Sequence, residues 1–325
     1  MPIIDSQGRS INYLRLSVTD RCNLRCSYCM PAQGVASVGH EAILSYEELI
    51  RISRNAVAIG IEKIRITGGE PLVRKGVIDF LRRLSAIPGL KQLVLTTNGV
   101  LLGEMSADLR DAGVQRLNVS LDSLDAATFA RITRCGDLNR VQAAIETARS
   151  CGLPVKLNMV VMRGVNDHEI ADLARLAVDS ASTVRFIEYM PSIREPGWQR
   201  LVVPGSEILA RLERDFSLIP LEQAVLAGPA RNFRILGTAG AVGVITPVSK
   251  HFCSECNRIR VTSTGQAKGC LFADAGVDLK PALQAESDLQ LTRALTAIAA
   301  IKPACHLMNQ TECHHQAFSM ASIGG

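Results

Sequence analysis

Strand-length segments rich in β-branched residues alternate with helix-length amphipathic segments six times before Pro191, which restricts the chain to a parallel sheet with right-handed crossovers. The strand segments are residues 13–19, 63–67, 92–98, 116–122, 155–162 and 183–190. Helical stretches between them include 45–59, 77–87, 139–150 and 167–177, the first announced by a Ser45/Glu48 capping box. An open doubly wound sheet buries both strand faces and makes its strands almost wholly apolar. These strands instead alternate. Arg15 and Ser17 are set against Leu14, Leu16 and Val18; Lys63, Arg65 and Thr67 against Ile64 and Ile66; Arg116, Asn118, Ser120 and Asp122 against Leu117, Val119 and Leu121. Side chains alternate with period two, so each polar set shares one face while the apolar set meets the helices. A polar concave face needs a wet interior or a polar ligand, which a close-packed eight-stranded barrel does not offer. The expected fold class is α/β, a partial (β/α)6 TIM-like barrel with a smaller C-terminal α+β domain.

The division is expected near Pro191, with residues 1–191 as the barrel and 192–325 as the second domain. There Pro191, Pro196, Gly197, Pro204 and Gly205 interrupt the rhythm, before a helix at 207–215 and short strands at 233–236 and 241–245. No internal repeat or low-complexity segment is present. A length of 325 residues with 47% hydrophobic content fills one large and one smaller core. The net charge of +5 comes without a Lys/Arg block, so an extended nucleic-acid surface is not expected. The start MPIIDSQGRS lacks a basic, apolar leader, and no apolar run reaches membrane length; a cytoplasmic protein without membrane association is expected. Thiols stay reduced in that compartment, so ten cysteines point to metal or redox chemistry.

Cys22, Cys26 and Cys29 are spaced C-x3-C-x-Y-C, with Tyr28 before the last. Three thiolates hold three corners of an iron-sulfur cube and leave one iron open to another ligand. A zinc site with a distant fourth ligand and a disulfide are the competing readings. Cys253, Cys256 and Cys270 form C-x2-C-x13-C, and the intervening RIRVTSTGQAKG reads as a hairpin turning at Thr264-Gly265 that returns Cys270 to Cys256. A zinc knuckle completed by His251 competes with a cluster here. Arg258 and Arg260 share one strand face, whose plain reading is a solvated edge. Cys135 and Cys151 read as structural residues on helical segments. Cys305, His306, Cys313, His314 and His315 are either a third metal site or a polar tail.

Together, Cys22, Cys26, Tyr28 and Cys29, with Gly68, Gly69, Glu70 and Pro71 after the second strand, resemble the cluster and methionine-binding motifs of the radical S-adenosylmethionine (SAM) enzymes. The second cysteine group, continuing as Asn257, Arg258, Ile259 and Arg260, and the terminal Gly324-Gly325 narrow the resemblance to the GTP 3',8-cyclases of molybdenum cofactor biosynthesis. This resemblance implies two 4Fe-4S clusters, one on Cys22, Cys26 and Cys29 and one on Cys253, Cys256 and Cys270. It implies SAM on the first, reduced by a one-electron donor such as a flavodoxin or ferredoxin. The 5'-deoxyadenosyl radical would abstract the ribose 3'-hydrogen of GTP, and C3' would bond guanine C8. The product, (8S)-3',8-cyclo-7,8-dihydroguanosine 5'-triphosphate, would pass to the cyclic pyranopterin monophosphate synthase. By matching positions, Arg15, Arg65, Thr96, Lys156, Arg258, Ile259 (through its backbone) and Arg260 resemble the GTP contacts. Tyr28, Gly69, Asn98, Ser120 and Met190 resemble the SAM contacts, and Arg258, Arg260, Gly324 and Gly325 the catalytic set. A homodimer is compatible with the resemblance.

The residues support an anionic substrate independently. Arg15, Lys63 and Arg65 share the polar face, and Lys156 and Arg185 also lie on strands. Several inward cations require an anion of comparable charge, unless each sits at an exposed strand end. A peptide-modifying radical enzyme with an auxiliary cluster would carry a larger C-terminal cysteine set. A non-catalytic zinc or iron-sulfur module would leave Gly68–Glu70 and the cations unexplained.

Overall fold

All six expected strands form, and five of them leave the ladder earlier than the sequence pattern does, freeing Asn98, Asp122 and Met190 at their C-terminal ends. The computed structural model describes residues 3–34, 38–190, 197–273, 275–306 and 320–323. A short antiparallel strap, β1 (Ile3–Ile4) and β2 (Ser10–Ile11), precedes the sheet. Then β3 (Tyr13–Ser17), β4 (Lys63–Thr67), β5 (Gln92–Thr97), β6 (Arg116–Ser120), β7 (Val155–Val161) and β8 (Thr183–Glu188) lie side by side, each parallel to the next. The crossovers carry α1 (Tyr46–Ala58), α2 (Val77–Ser85), α3 (Leu102–Asp111), α4 (Ala126–Thr133), α5 (Leu138–Ser150) and α6 (Ile170–Asp179). The Ser45 hydroxyl accepts from Glu48 N, and the Glu48 carboxylate accepts from Ser45 N, so the expected capping box starts α1.

The remaining chain supplies α7 (Gly205–Asp215), β9 (Leu218–Pro220), β10 (Arg231–Ile235), β11 (Ala241–Ile245), β12 (Arg258–Val261), β13 (Gln266–Lys268), β14 (Val277–Asp278), α8 (Lys280–Gln284), α9 (Asp288–Ala300) and α10 (Met320–Ile323). Its strands extend the same sheet at both edges. β12 pairs in parallel with β3, setting Arg260 beside Arg15, and β11 pairs in parallel with β8, setting Gly243 beside Arg185. β13 and β14 continue antiparallel from β12, and β10 and β9 from β11, giving an open twelve-stranded sheet. The expected hairpin is present, with Arg260 opposite Lys268.

The apolar faces meet the helices as expected. Leu16, Ile66, Leu95, Leu117, Leu157 and Phe186 are buried in one continuous core, and each such side chain contributes roughly 1.5–3 kcal/mol of burial. The solvated-edge reading of Arg258 and Arg260 is corrected: β12 lies inside the sheet, Ile259 and Val261 are fully buried, and Arg260 is only 7% exposed. The strand-end reading fails for Lys63, 1% exposed. Cys135 and Cys151 lie outside the helices, the former between α4 and α5 and the latter capping α5. No helix among the described residues is long and apolar enough to cross a membrane.

Candidate active site

The loop after β3 carries the first cysteine triplet and is fixed by the segment after β4. Gly69 N donates to Thr19 O at 2.8 Å and Glu70 N to Arg21 O at 2.8 Å. A Cβ on Gly69 would lie 2.3 Å from Arg21 O, and one on Gly68 2.6 Å from Thr19 O. The two glycines are thus what allows the backbones to meet. The buried Glu70 carboxylate accepts from Leu72 N, Thr97 Oγ1 and Asn98 N, the last at 2.7 Å, while burial still pushes it up to about 7. Asn98, so placed, donates to Asn23 Oδ1 at 2.7 Å and lies 3.7 Å from Cys22 Sγ.

Tyr28 donates its hydroxyl to Asp122 Oδ2 at 2.8 Å, and Asp122 Oδ1 accepts from Val160 N at 2.8 Å. Burial pushes Asp122 up to about 6 and the Cys22 thiol up to about 11. Burial, reinforced by Asp122, also drives Cys26 well above the ordinary thiol range. A metal would reverse this, because a coordinating thiol is deprotonated outright.

Between the triplets the concave face is cationic. Arg260, Arg15 and Arg65 stand side by side on β12, β3 and β4, and Arg185 projects from β8. Burial, then neighbouring cations, lowers Lys63 to about 6, Lys156 to about 7, Arg185 to about 9 and Arg260 to about 10. Tyr13 lies in their midst, with Lys63 Nζ 4.7 Å and Arg65 Cζ 5.5 Å from its ring centroid. Nε of Arg65, Arg116 and Arg185 and Oγ1 of Thr67 and Thr96 are buried with no hydrogen-bond partner. Buried polar atoms normally find partners, so this face is built for a polyanion with many acceptor oxygens.

The second triplet closes the far side. The β12–β13 hairpin returns Cys270 toward Cys256, whose Sγ accepts from Lys302 Nζ at 3.2 Å and from Arg258 Nη2 at 3.6 Å. Burial would raise the Cys256 thiol, but Arg258 and Lys302 outweigh it and bring it down to about 6. Burial raises Cys253. The donor atoms of His251, Cys253 and His306 lie within 4.8 Å of one another, so the zinc alternative at His251 gains His306 from the segment suspected of a third site. The remainder of that segment, with Cys313, His314 and His315, lies outside the described residues.

One cavity of about 280 Å³ is lined by all six cysteines. Among its described lining residues are five arginines (Arg15, Arg65, Arg185, Arg258 and Arg260) and a single carboxylate, Asp122. Tyr28, Gly69, Asn98, Ser120 and Met190 line the first end, and Thr96 the middle. Lys156 sits half-buried on β7, on the face shared by Asn158. The Ile259 side chain points into the core, leaving only its backbone for a ligand. Gly324 and Gly325 lie outside the described residues; Met320 of α10 lines the cavity. Sequence reasoning missed Tyr13, Lys302 and Arg9, and named Arg116 and His306 without giving them this place. Tyr13 and Arg116 were in phase with the polar face, whereas Lys302 lies 46 positions from Cys256 and had no local signal.

The Radical SAM superfamily profile matches residues 16–177, and the Molybdenum Cofactor Synthesis C profile matches residues 182–308. A GTP 3',8-cyclase of Geobacter sulfurreducens is 64% identical over 100% of both chains, and one of Moorella thermoacetica is 46% identical over 99% of both. The solved structure of Streptococcus suis SuiB bound to S-adenosylmethionine shares the fold, with a TM-score of 0.62 at 14% identity; the match covers 87% of this chain and 65% of that one. With full-length relatives this similar, and with both profiles in order along it, the chain belongs to the GTP 3',8-cyclase family of the radical SAM superfamily.

Proposed function

We propose that this chain catalyses the radical cyclisation of GTP between ribose C3' and guanine C8, the first step of molybdopterin cofactor formation. The observation that carries the reading is a single cavity with a cysteine triplet at each side and arginines between. Three clustered thiols beside neutral donors and Asp122 fit a cluster that leaves one position for a cationic sulfonium ligand. Cys22, Cys26 and Cys29 would hold the first 4Fe-4S cluster, which would supply the electron for reductive cleavage of SAM to methionine and the radical that takes the ribose 3'-hydrogen.

The chain's residues position and enclose. Asp122 holds Tyr28 against the SAM side, where Gly69, Asn98, Ser120 and Met190 complete the contacts. Arg15, Arg65, Thr96 and Lys156 bind the triphosphate, and Arg258, Arg260 and the Ile259 backbone orient the nucleotide toward the second triplet. Burial of this face excludes water from the radical. Cys253, Cys256 and Cys270 would hold a second 4Fe-4S cluster; three thiols flanking the two ends of one hairpin, beside two cations, fit an anionic cluster. Residues 1–191 form the radical-generating unit and 192–325 the unit for the second cluster and GTP; the two profiles support two successive units but part earlier, between residues 177 and 182. Gly324 and Gly325, which lie outside the described residues, are assigned a role in promoting cyclisation by the family resemblance. A cytoplasmic flavodoxin or ferredoxin supplies the electron, the pyranopterin synthase takes the product, and the enzyme works without nucleic acid or membrane, as a monomer or homodimer.

The test is turnover of the anaerobically reconstituted chain with SAM, GTP and dithionite. Cyclised nucleotide and 5'-deoxyadenosine should appear together, and Cys26→Ala should abolish both. Deoxyadenosine without any change in GTP would refute the assignment.

A further inference from the structure

Lys302 belongs to neither cysteine motif, yet its side chain is buried, 3% exposed, and its ammonium has three acceptors. They are Cys256 Sγ at 3.2 Å, Arg258 O at 3.0 Å and Gly269 O at 2.6 Å. An ammonium has three donors, so all are used. Arg258 opens β12 and Gly269 precedes Cys270, so this one group touches the Cys256 ligand and the backbone beside two of the three cysteines. A Cβ on Gly269 would lie 3.0 Å from Lys302 Cα, so the glycine makes room for the lysine. The third cysteine is tied to the same point by Arg9, which donates to Cys253 O at 2.6 Å, Pro303 O at 2.8 Å and Ala304 O at 3.2 Å and is itself paired with Asp5.

A brace for two carbonyls needs only a neutral donor, and burying a charge for that purpose is unfavourable. The third partner, a cluster-ligand sulfur, accounts for the charge. We infer that Lys302 is a positioning residue that holds Cys256 and raises the reduction potential of the second cluster, resting on the assignment of that cluster to Cys253, Cys256 and Cys270. A cluster gains negative charge on reduction, and hydrogen bonds to its sulfurs and nearby positive charge favour the reduced state. Lys302 itself touches only the second triplet, whereas the hydrogen bonds at Cys22 come from Leu24 N and Asn98, so removing its charge is read at one cluster.

The test is a potentiometric titration of the reconstituted full chain followed by electron paramagnetic resonance, with SAM added to mark the first cluster's signal. K302Q, which keeps a hydrogen-bond donor without the charge, should shift the second cluster to a more negative potential and leave the first unmoved; K302R should restore it. An unchanged second potential in K302Q overturns the inference. If K302Q assembles no second cluster, recovery in K302R supports the role of the charge, and loss in both variants makes Lys302 a packing residue. A wild type with only one cluster signal would instead overturn the second-cluster assignment itself.

Discussion

Cys26 and Cys256 are each the middle cysteine of a triplet on the wall of one cavity, but their surroundings pull them apart. At Cys26, burial and the nearby Asp122 drive the thiol well above its ordinary range. At Cys256, Arg258 and Lys302 outweigh burial and lower the thiol to about 6. The two cysteine triplets are chemically alike, so the difference resides in what surrounds them. In the proposed function the first side presents Asp122, Asn98 and backbone donors to a ligand that carries a sulfonium cation. The second side and the floor between present cations to a ligand that carries a triphosphate. On that proposal, discrimination between two nucleoside-like ligands rests on charge as much as on shape.

The strongest way to break this comparison is to remove the cations on the second side. Arg258→Ala with Arg260→Ala should weaken GTP binding by roughly tenfold to hundredfold per lost charge-assisted contact, about 1.5–3 kcal/mol each, while SAM affinity is unchanged. Equal losses for both ligands in equilibrium dialysis would mean that the sides are not electrostatically distinct. The first side can be broken sterically. In Gly69→Ala the new Cβ must displace Arg21 O, at a cost of roughly 1–3 kcal/mol in stability by analogy with overpacking. A lowered melting temperature with impaired SAM binding and intact GTP binding is expected; an unaltered cluster loop would show that the close approach is unimportant.

A smaller effect sharpens the comparison. Burial holds Lys63 at about 6 and Lys156 at about 7 in the free protein, below the ordinary lysine value. Lys63 donates to Leu226 O at 2.6 Å and does not line the cavity, whereas Lys156 belongs to the proposed triphosphate contacts. A triphosphate bound there raises Lys156, so binding takes up a proton. The gain is complete below the free-state value and is lost as pH rises through it toward the bound-state value. Above about pH 7, where the terminal phosphate is ionised, GTP affinity should fall by at most about tenfold per pH unit. SAM affinity should not follow. Calorimetry in buffers of different ionisation enthalpy reads the proton uptake directly, and its absence would remove Lys156 from the triphosphate site.

How far the sequence disclosed this arrangement depends on the range over which each feature is encoded. Alternation along residues 116–122 is local, so the polar face bearing Arg116, Asn118 and Ser120 was legible, as were both cysteine spacings. The insertion of β12 beside β3 was not, because Arg258 meets Tyr13 across most of the chain and strand pairing leaves no local mark. The hairpin was foreseen, but its place in the sheet turned a supposed solvated edge into a buried wall. Arg9 and Lys302 were invisible for the same reason, being isolated cations whose partners lie 244 and 46 positions away. Gly69 was legible only as a motif, and its physical cause, the approach of Arg21 O, needed the fold.

The most direct test of the central claim is to record the resonance spectra of the reduced, reconstituted chain with each ligand separately. SAM should perturb only the signal that disappears in Cys26→Ala, and GTP only the signal that disappears in Cys256→Ala. Perturbation of one and the same signal by both ligands would contradict the division of the cavity into a cation-accepting and an anion-accepting side.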